Sequence, residues 1–313
     1  MQSFPVSAKK LNQRVADESF TVYFRHGRSY IKKRTGKEGS REAMNWLDKC
    51  VEVAREAALK AGRLIQDAFY EEKQVDLKNE SKDLVTETDR ACERIIFDHL
   101  TQAFPDYKFL GEEQVSAGES QSVDITDDPT WIVDPLNGTT NFVHKFPFVC
   151  VSVALLVRKV PVVGVVYNPI LEEVFSATKG RGAYIHNQRI EPSEQKELLH
   201  ALLATETETT RDISSVDSVT KRLNGLLYRV RSLRMSGSCA MSLCGVACGR
   251  LDVFYDMSYR GPWDVAAGAL IVQEAGGHIF DPSGKPFDIF SHRICATNSH
   301  LKDAVIEALK GFL

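Results

Sequence analysis

Leu47, Val51, Ala54, Ala58, Ala61, Ile65 and Ala68 recur at threes and fours from Met44 to about Tyr70, which predicts a helix with one apolar face turned to a core. A second amphipathic stretch, with Ile95, Ile96 and Leu100, predicts another helix after Asp89. Short apolar, β-branched runs then take over, predicting strands at 108–111, 131–133, 149–157, 162–167, 173–178 and 182–185. Arg158-Lys159-Val160-Pro161 separates two of them as a hairpin turn. Past residues 189–193 helices and strands alternate: strand 201–205, helix 216–228, strand 230–235, helix 238–247, strand 251–255. The pattern predicts an antiparallel-rich α+β half over 44–190 and a smaller α/β half over 191–313, with a loose boundary near 190. Residues 1–43 show no sustained periodicity and read as a basic, disordered extension.

Composition narrows this picture. At 313 residues, 43% hydrophobic and 26% charged, the chain has material for one large core or two modest ones. No run of 18 apolar residues exists, so no membrane-spanning helix is expected. Seven cysteines occur without a Cys-x-x-Cys pair or a preceding apolar signal segment, which predicts reduced thiols and a cytoplasmic chain. The net charge of −3 conceals +6 in residues 1–43, from ten Lys/Arg and four Asp/Glu, against −9 in the remainder. An acidic body speaks against nucleic acid as a partner. The five serines and few acids of residues 1–43 make a transit peptide their second reading.

Chemistry concentrates in residues 131–148. Trp131, Ile132 and Val133 read as the end of a buried strand that Asp134-Pro135 stops, since the residue before a proline is held extended and proline cannot donate. Gly138 permits a tight turn, and Thr139 and Thr140 are placed to cap a short helix. A carboxylate, a glycine turn and a helix start within six residues suit a cation and a phosphate oxygen side by side. Elsewhere the residues alone read more plainly: Asp89 as a helix-start charge, Glu112-Glu113 as a solvated loop, Ser236-Gly237-Ser238-Cys239-Ala240 as a helix cap. Cys239, Cys244 and Cys248 read as small packing residues, because their spacing without histidine suits no common zinc site.

The run Asp134-Pro135-Leu136-Asn137-Gly138-Thr139-Thr140-Asn141-Phe142 resembles the signature of the inositol monophosphatase family, Mg²⁺-dependent phosphomonoesterases. Three more motifs follow the family order: Leu84-Val85-Thr86-Glu87-Thr88-Asp89, Gly111-Glu112-Glu113, and Trp263-Asp264-Val265-Ala266-Ala267-Gly268. The turn at Ser236–Ala240 is similar to that of plant members acting on inositol and L-galactose phosphates. The resemblance implies a layered αβαβα sandwich, two or three Mg²⁺ ions, a small polyol or sugar phosphate as substrate, and a homodimer.

By the same resemblance Glu112, Asp134 and the Leu136 carbonyl hold one ion, and Asp134, the side chain at 137 and Asp264 hold a second. Asp89 lies near a third and bonds Thr139, which orients the attacking water with Glu112, while amides at Gly138 and Thr139 hold phosphate. Ser236, Gly237, Ser238 and Cys239 line the pocket, Asp256 meets substrate hydroxyls, and Lys82 and Glu113 stand behind the ligands. One position departs: the family carries aspartate where this chain has Asn137. An amide oxygen still coordinates but without charge, so the expectation is a weakened second site and an impaired phosphatase. The alternative is a non-catalytic binder of sugar phosphates or of a partner. A haloacid-dehalogenase phosphatase also joins Asp to Gly-Thr, but it spaces its two acids by one residue rather than two.

Overall fold

The computed structural model describes residues 20–25, 28–33, 37–77, 84–118, 125–207 and 212–312. Two compact units divide the chain, residues 1–50 and 51–313. In the first, β1 (Phe20–Arg25) and β2 (Arg28–Lys33) pair antiparallel, and α1 (Lys37–Phe69) begins ahead of the predicted Met44. Much of the segment read as an extension, and Lys82, lie outside the described residues.

The second unit carries the rest of α1, then β3 (Val75–Leu77), β4 (Leu84–Thr86), α2 (Glu87–Ala103), β5 (Lys108–Gly111), α3 (Glu112–Ser116), β6 (Thr130–Asn137) and α4 (Thr139–Val143). After these come β7 (Cys150–Val157), β8 (Val160–Asn168), β9 (Glu173–Thr178), β10 (Ala183–Ile185) and β11 (Gln188–Arg189). The last part holds β12 (Leu202–Thr205), α5 (Ile213–Leu227), β13 (Ser232–Arg234), α6 (Cys239–Ala247), β14 (Val253–Asp256), α7 (Pro262–Ala275), β15 (His278–Phe280), β16 (Ile294–Thr297) and α8 (Lys302–Leu309).

β5 to β11 form a seven-stranded sheet in order 11-10-9-8-7-6-5, antiparallel except where β5 runs parallel to β6. A five-stranded sheet has the order 13-12-14-16-15, with β12 parallel to both its neighbours. Every residue of β7 is buried, because helices cover both faces of the large sheet and alternation is then not required. α2 packs on β6 of that sheet, α6 and α7 fill the space between the sheets, and α5 and α8 close the outer face of the small one over Leu203 and Val253. This is the layered α/β sandwich.

α7 is buried nearly throughout, so its sequence is apolar on all sides instead of amphipathic. It approaches the large sheet closely: a Cβ on Gly164 of β8 would stand 2.8 Å from the Ala267 carbonyl oxygen. The hairpin between β7 and β8 is tighter than the sequence predicts. Arg158 and Lys159 both adopt positive φ, as a two-residue turn of this hand requires, and Val157 already pairs with Val160.

Candidate active site

Residues three apart on an unbroken strand point to opposite faces. β6 is broken once: Asp134 pairs with Ser152 and Asn137 with Cys150, so Pro135 and Leu136 together oppose Val151. The extra residue resets the alternation and brings both side chains to one side, where the Asn137 amide nitrogen donates to Asp134 Oδ2 at 2.8 Å. Proline has no N–H to give to a ladder, which is why the bulge falls here. β6 therefore continues to Asn137, past the step where the sequence predicts its end. Gly138 follows at φ 95°, and a Cβ there would stand 3.0 Å from the Phe148 carbonyl oxygen. Thr139 is then the first residue of α4 and not its cap, so its hydroxyl is left to donate to Asp89 Oδ1 at 3.1 Å, with the Leu136 carbonyl at 3.2 Å.

Asp89 and Glu93 lie one helical turn apart on the same face of α2. Asp89 accepts the N–H of Thr86 at 2.8 Å and its hydroxyl at 2.5 Å, closing the helix start, while its other oxygen meets Thr139. Glu93 accepts the N–H groups of Glu113 and Gln114, each at 2.9 Å, and so fixes the turn that aims Glu112. Gly111 makes that clip possible, since a Cβ there would lie 2.1 Å from Glu93 Oε2.

Asp264 sits in the first turn of α7, where its Oδ2 accepts the N–H groups of Arg260 at 2.8 Å and Gly261 at 3.1 Å. Its Oδ1 accepts from the Asn137 amide nitrogen at 3.0 Å. The Asn137 amide oxygen accepts from Ser238 Oγ at 2.5 Å and from the Ala240 N–H at 3.3 Å. The amide thus turns its nitrogen to the acids, whereas the family resemblance has an oxygen ligand at 137. The reverse orientation would set oxygen against two carboxylates and NH₂ against the Ala240 N–H. Among the described residues no three Asp, Glu, His or Cys side chains gather closely enough to hold a cation by themselves.

Ser238 caps α6 by accepting the Met241 N–H, and Ser236 Oγ pairs with Ser242 Oγ at 3.1 Å. Both hold the turn from behind; Gly237 and Cys239 reach the cavity that the turn borders. That cavity measures about 290 Å³, at the lower end of the range of about 300–1,000 Å³ typical of small-molecule pockets. Five acids line it, Glu112, Asp134, Glu206, Asp256 and Asp264, against one guanidinium, that of Arg260, 3.7 Å from Glu112. Burial, then the charges of Glu112 and Asp264, hold the Asp134 carboxyl well above the usual carboxylate range. Burial and Glu112 push Asp264 up to about 7, and burial pushes Glu206 up to about 7 against the opposing pull of the Gly237 N–H. Burial also raises the Cys239 thiol, so it lines the wall un-ionised.

Residues 46–311 match the inositol monophosphatase family. The chain belongs to that family. Within it, the chain is 59% identical over 263 residues to inositol monophosphatase 2 of Solanum lycopersicum, covering 84% of this chain and 98% of that one. Identity to inositol monophosphatase 1 of Homo sapiens is 39% over 253 residues, covering 80% and 90%. The crystal structure of extragenic suppressor protein suhB from Bartonella henselae superposes with a TM-score of 0.76 at 36% identity, across 85% of this chain and 100% of that one.

In this inositol monophosphatase-family chain, Glu112, Asp134, Leu136, Asn137, Gly138, Thr139, Asp256 and Asp264 all border the cavity, with Asp89 and Glu113 buried behind them. Contributors missing from the sequence reading include Glu93, Asn141, Glu206 and Arg260. Glu206 had a visible signal, an acid closing an apolar strand as Asp134 follows Trp131–Val133. Asn141 donates to the carbonyls of Phe148 at 2.8 Å and Ser236 at 2.7 Å, and the second lies 95 residues away, so nothing local announces it.

Proposed function

We propose that the chain hydrolyses the phosphate monoester of a small cyclic polyol or sugar, myo-inositol 1-phosphate or L-galactose 1-phosphate, with Mg²⁺, and that Asn137 holds its turnover low. The observation that carries this reading is a small, half-open cavity lined by five acids, beside a threonine hydroxyl tied to Asp89. Such a cavity repels a phosphate dianion unless positive charge enters with it. Glu112, Asp134 and the Leu136 carbonyl offer only oxygen, the donor type that Mg²⁺ takes, so one cation position fits the residues present. When bound, Mg²⁺ lowers the pKa of water and neutralises phosphate oxygens.

The chain's own groups supply positioning and proton handling. With its proton directed to Asp89, the Thr139 hydroxyl offers its oxygen to a hydrogen of the attacking water. Glu112, aimed into the cavity by the Glu93 clip, is placed to receive a proton from that water. N–H groups at Gly138 and Thr139 are the donors for phosphate. Asp256, whose Oδ1 accepts the Ser258 N–H at 2.8 Å, and Glu206 supply acceptors suited to the hydroxyls of a polyol. At the second position the residues do not fit a cation, because the Asn137 NH₂ group faces Asp134 and Asp264. The same amide favours the second reading, a family member that binds sugar phosphates without turning them over.

Phosphate release from both substrates, with Mg²⁺ and with EDTA, separates the readings. Slow, Mg²⁺-dependent release that Asp134→Asn abolishes is the expected result. Release that survives EDTA or Asp134→Asn contradicts it, and calorimetric binding of inositol 1-phosphate with no release from any form supports the non-catalytic reading.

A further inference from the structure

We propose that the Asn137 amide is a built-in replacement for a cation: it ties Asp134 to Asp264 directly, and the chain accordingly takes one divalent ion fewer than its Asn137→Asp form. The inference rests on the family reading of this site and concerns what occupies the space between its acids. Four hydrogen bonds fix the amide, two given by its nitrogen to the carboxylates and two received by its oxygen from α6. One donor on α6 cannot be reversed, the backbone N–H of Ala240. The Ser238 hydroxyl, which accepts the Met241 N–H and lies 3.8 Å from Cys150 Sγ, gives its proton to Asn137 alongside it.

The α6 side of position 137 is therefore built for an acceptor, whatever residue stands there. An aspartate in the same place would give one oxygen to Ser238 and Ala240 and turn the other, charged, towards Asp134 and Asp264, where three carboxylates would need a cation among them. Asparagine satisfies the same α6 donors but presents NH₂, which needs no cation and leaves no oxygen to coordinate one. Flipping the amide to ligate would set NH₂ against the Ala240 N–H. Arg260, 3.7 Å from Glu112, adds a fixed positive charge at the same cluster.

Mn²⁺ counted by electron paramagnetic resonance, with saturating inorganic phosphate, tests this on the full chain and on Asn137→Asp, intact mass confirming the amide in the former. One more bound Mn²⁺ per chain in Asn137→Asp is expected. In EDTA the unaltered chain should melt above Asn137→Asp, and Mn²⁺ should narrow or reverse the gap; an Asn137→Asp chain that folds only with Mn²⁺ is the same result in extreme form. Asn137→Ala, which removes the tie without adding charge, should also melt lower in EDTA and should bind no additional ion. Equal Mn²⁺ counts with affinities within threefold, or equal melting in EDTA across all three chains, would overturn the proposal. Hydrolysis of inositol 1-phosphate by the same samples keeps the two readings apart. An extra ion in Asn137→Asp with no turnover removes the phosphatase and leaves the tie, whereas equal counts with turnover do the reverse.

Discussion

Glu206 shows how a single buried group ties stability to pH. Its carboxyl is raised to about 7, above its ordinary value, so the fold favours the protonated form. That contribution is complete below the ordinary carboxylate range and is lost as pH rises through about 7. Glu206→Gln cannot ionise and should remove this part of the pH dependence. Melting curves in EDTA from pH 5 to 8 should show the unaltered chain losing more stability than Glu206→Gln; parallel curves would contradict the assignment. Asp264, raised in the same direction, titrates in both chains and drops out of the difference. Among single residues, the family resemblance pointed to Asp134, Glu112, Thr139 and Asp264, all of which border the cavity, whereas the orientation of Asn137 was not legible. Three of its four partners lie 101 to 127 residues away at α6 and α7, so the choice between amide oxygen and nitrogen is made largely by tertiary packing.

At the scale of elements, one face of α2 does two jobs, Asp89 holding Thr139 and Glu93 clipping the start of α3. The clip depends on the missing side chain of Gly111, where a Cβ would overlap a carboxylate already committed to two N–H groups. Gly111→Ala should therefore destabilise the fold by about 1–3 kcal/mol, the usual cost of overpacking, and lower phosphate release by displacing Glu112. Denaturant melts and rates measured together would expose a wild-type-like variant as a contradiction. The elements themselves were largely legible, because helical periodicity and β-branched runs are local signals. β6 was the exception: a proline before a turn reads as a strand end, yet a bulge accommodates Pro135 and the strand resumes at Asn137. That bulge is what puts residues 134 and 137 on one side.

At the scale of the whole molecule, the two sheets are joined through α7, which carries Asp264 while packing on β7, β8 and β9. Gly164→Ala should push Ala267 away from β8, cost about 1–3 kcal/mol by the same overpacking argument, and impair activity without touching a cavity residue. The sequence pattern changes near residue 190, yet residues 51–313 form one compact unit, and the pattern could not show that the centre draws on both sheets, because that depends on how α6 and α7 fill the space between them. The family match begins at residue 46, so removal of residues 1–36 should leave phosphate release unchanged, and a loss of activity would assign that segment a catalytic part. The most direct test of the account is the initial rate of phosphate release from myo-inositol 1-phosphate at saturating Mg²⁺, for the unaltered chain beside Asn137→Asp. Partners of metal ligands alone are worth roughly 10–100-fold, so the aspartate form should be faster by at least that factor; equal rates would contradict the claim that residue 137 governs turnover at this site.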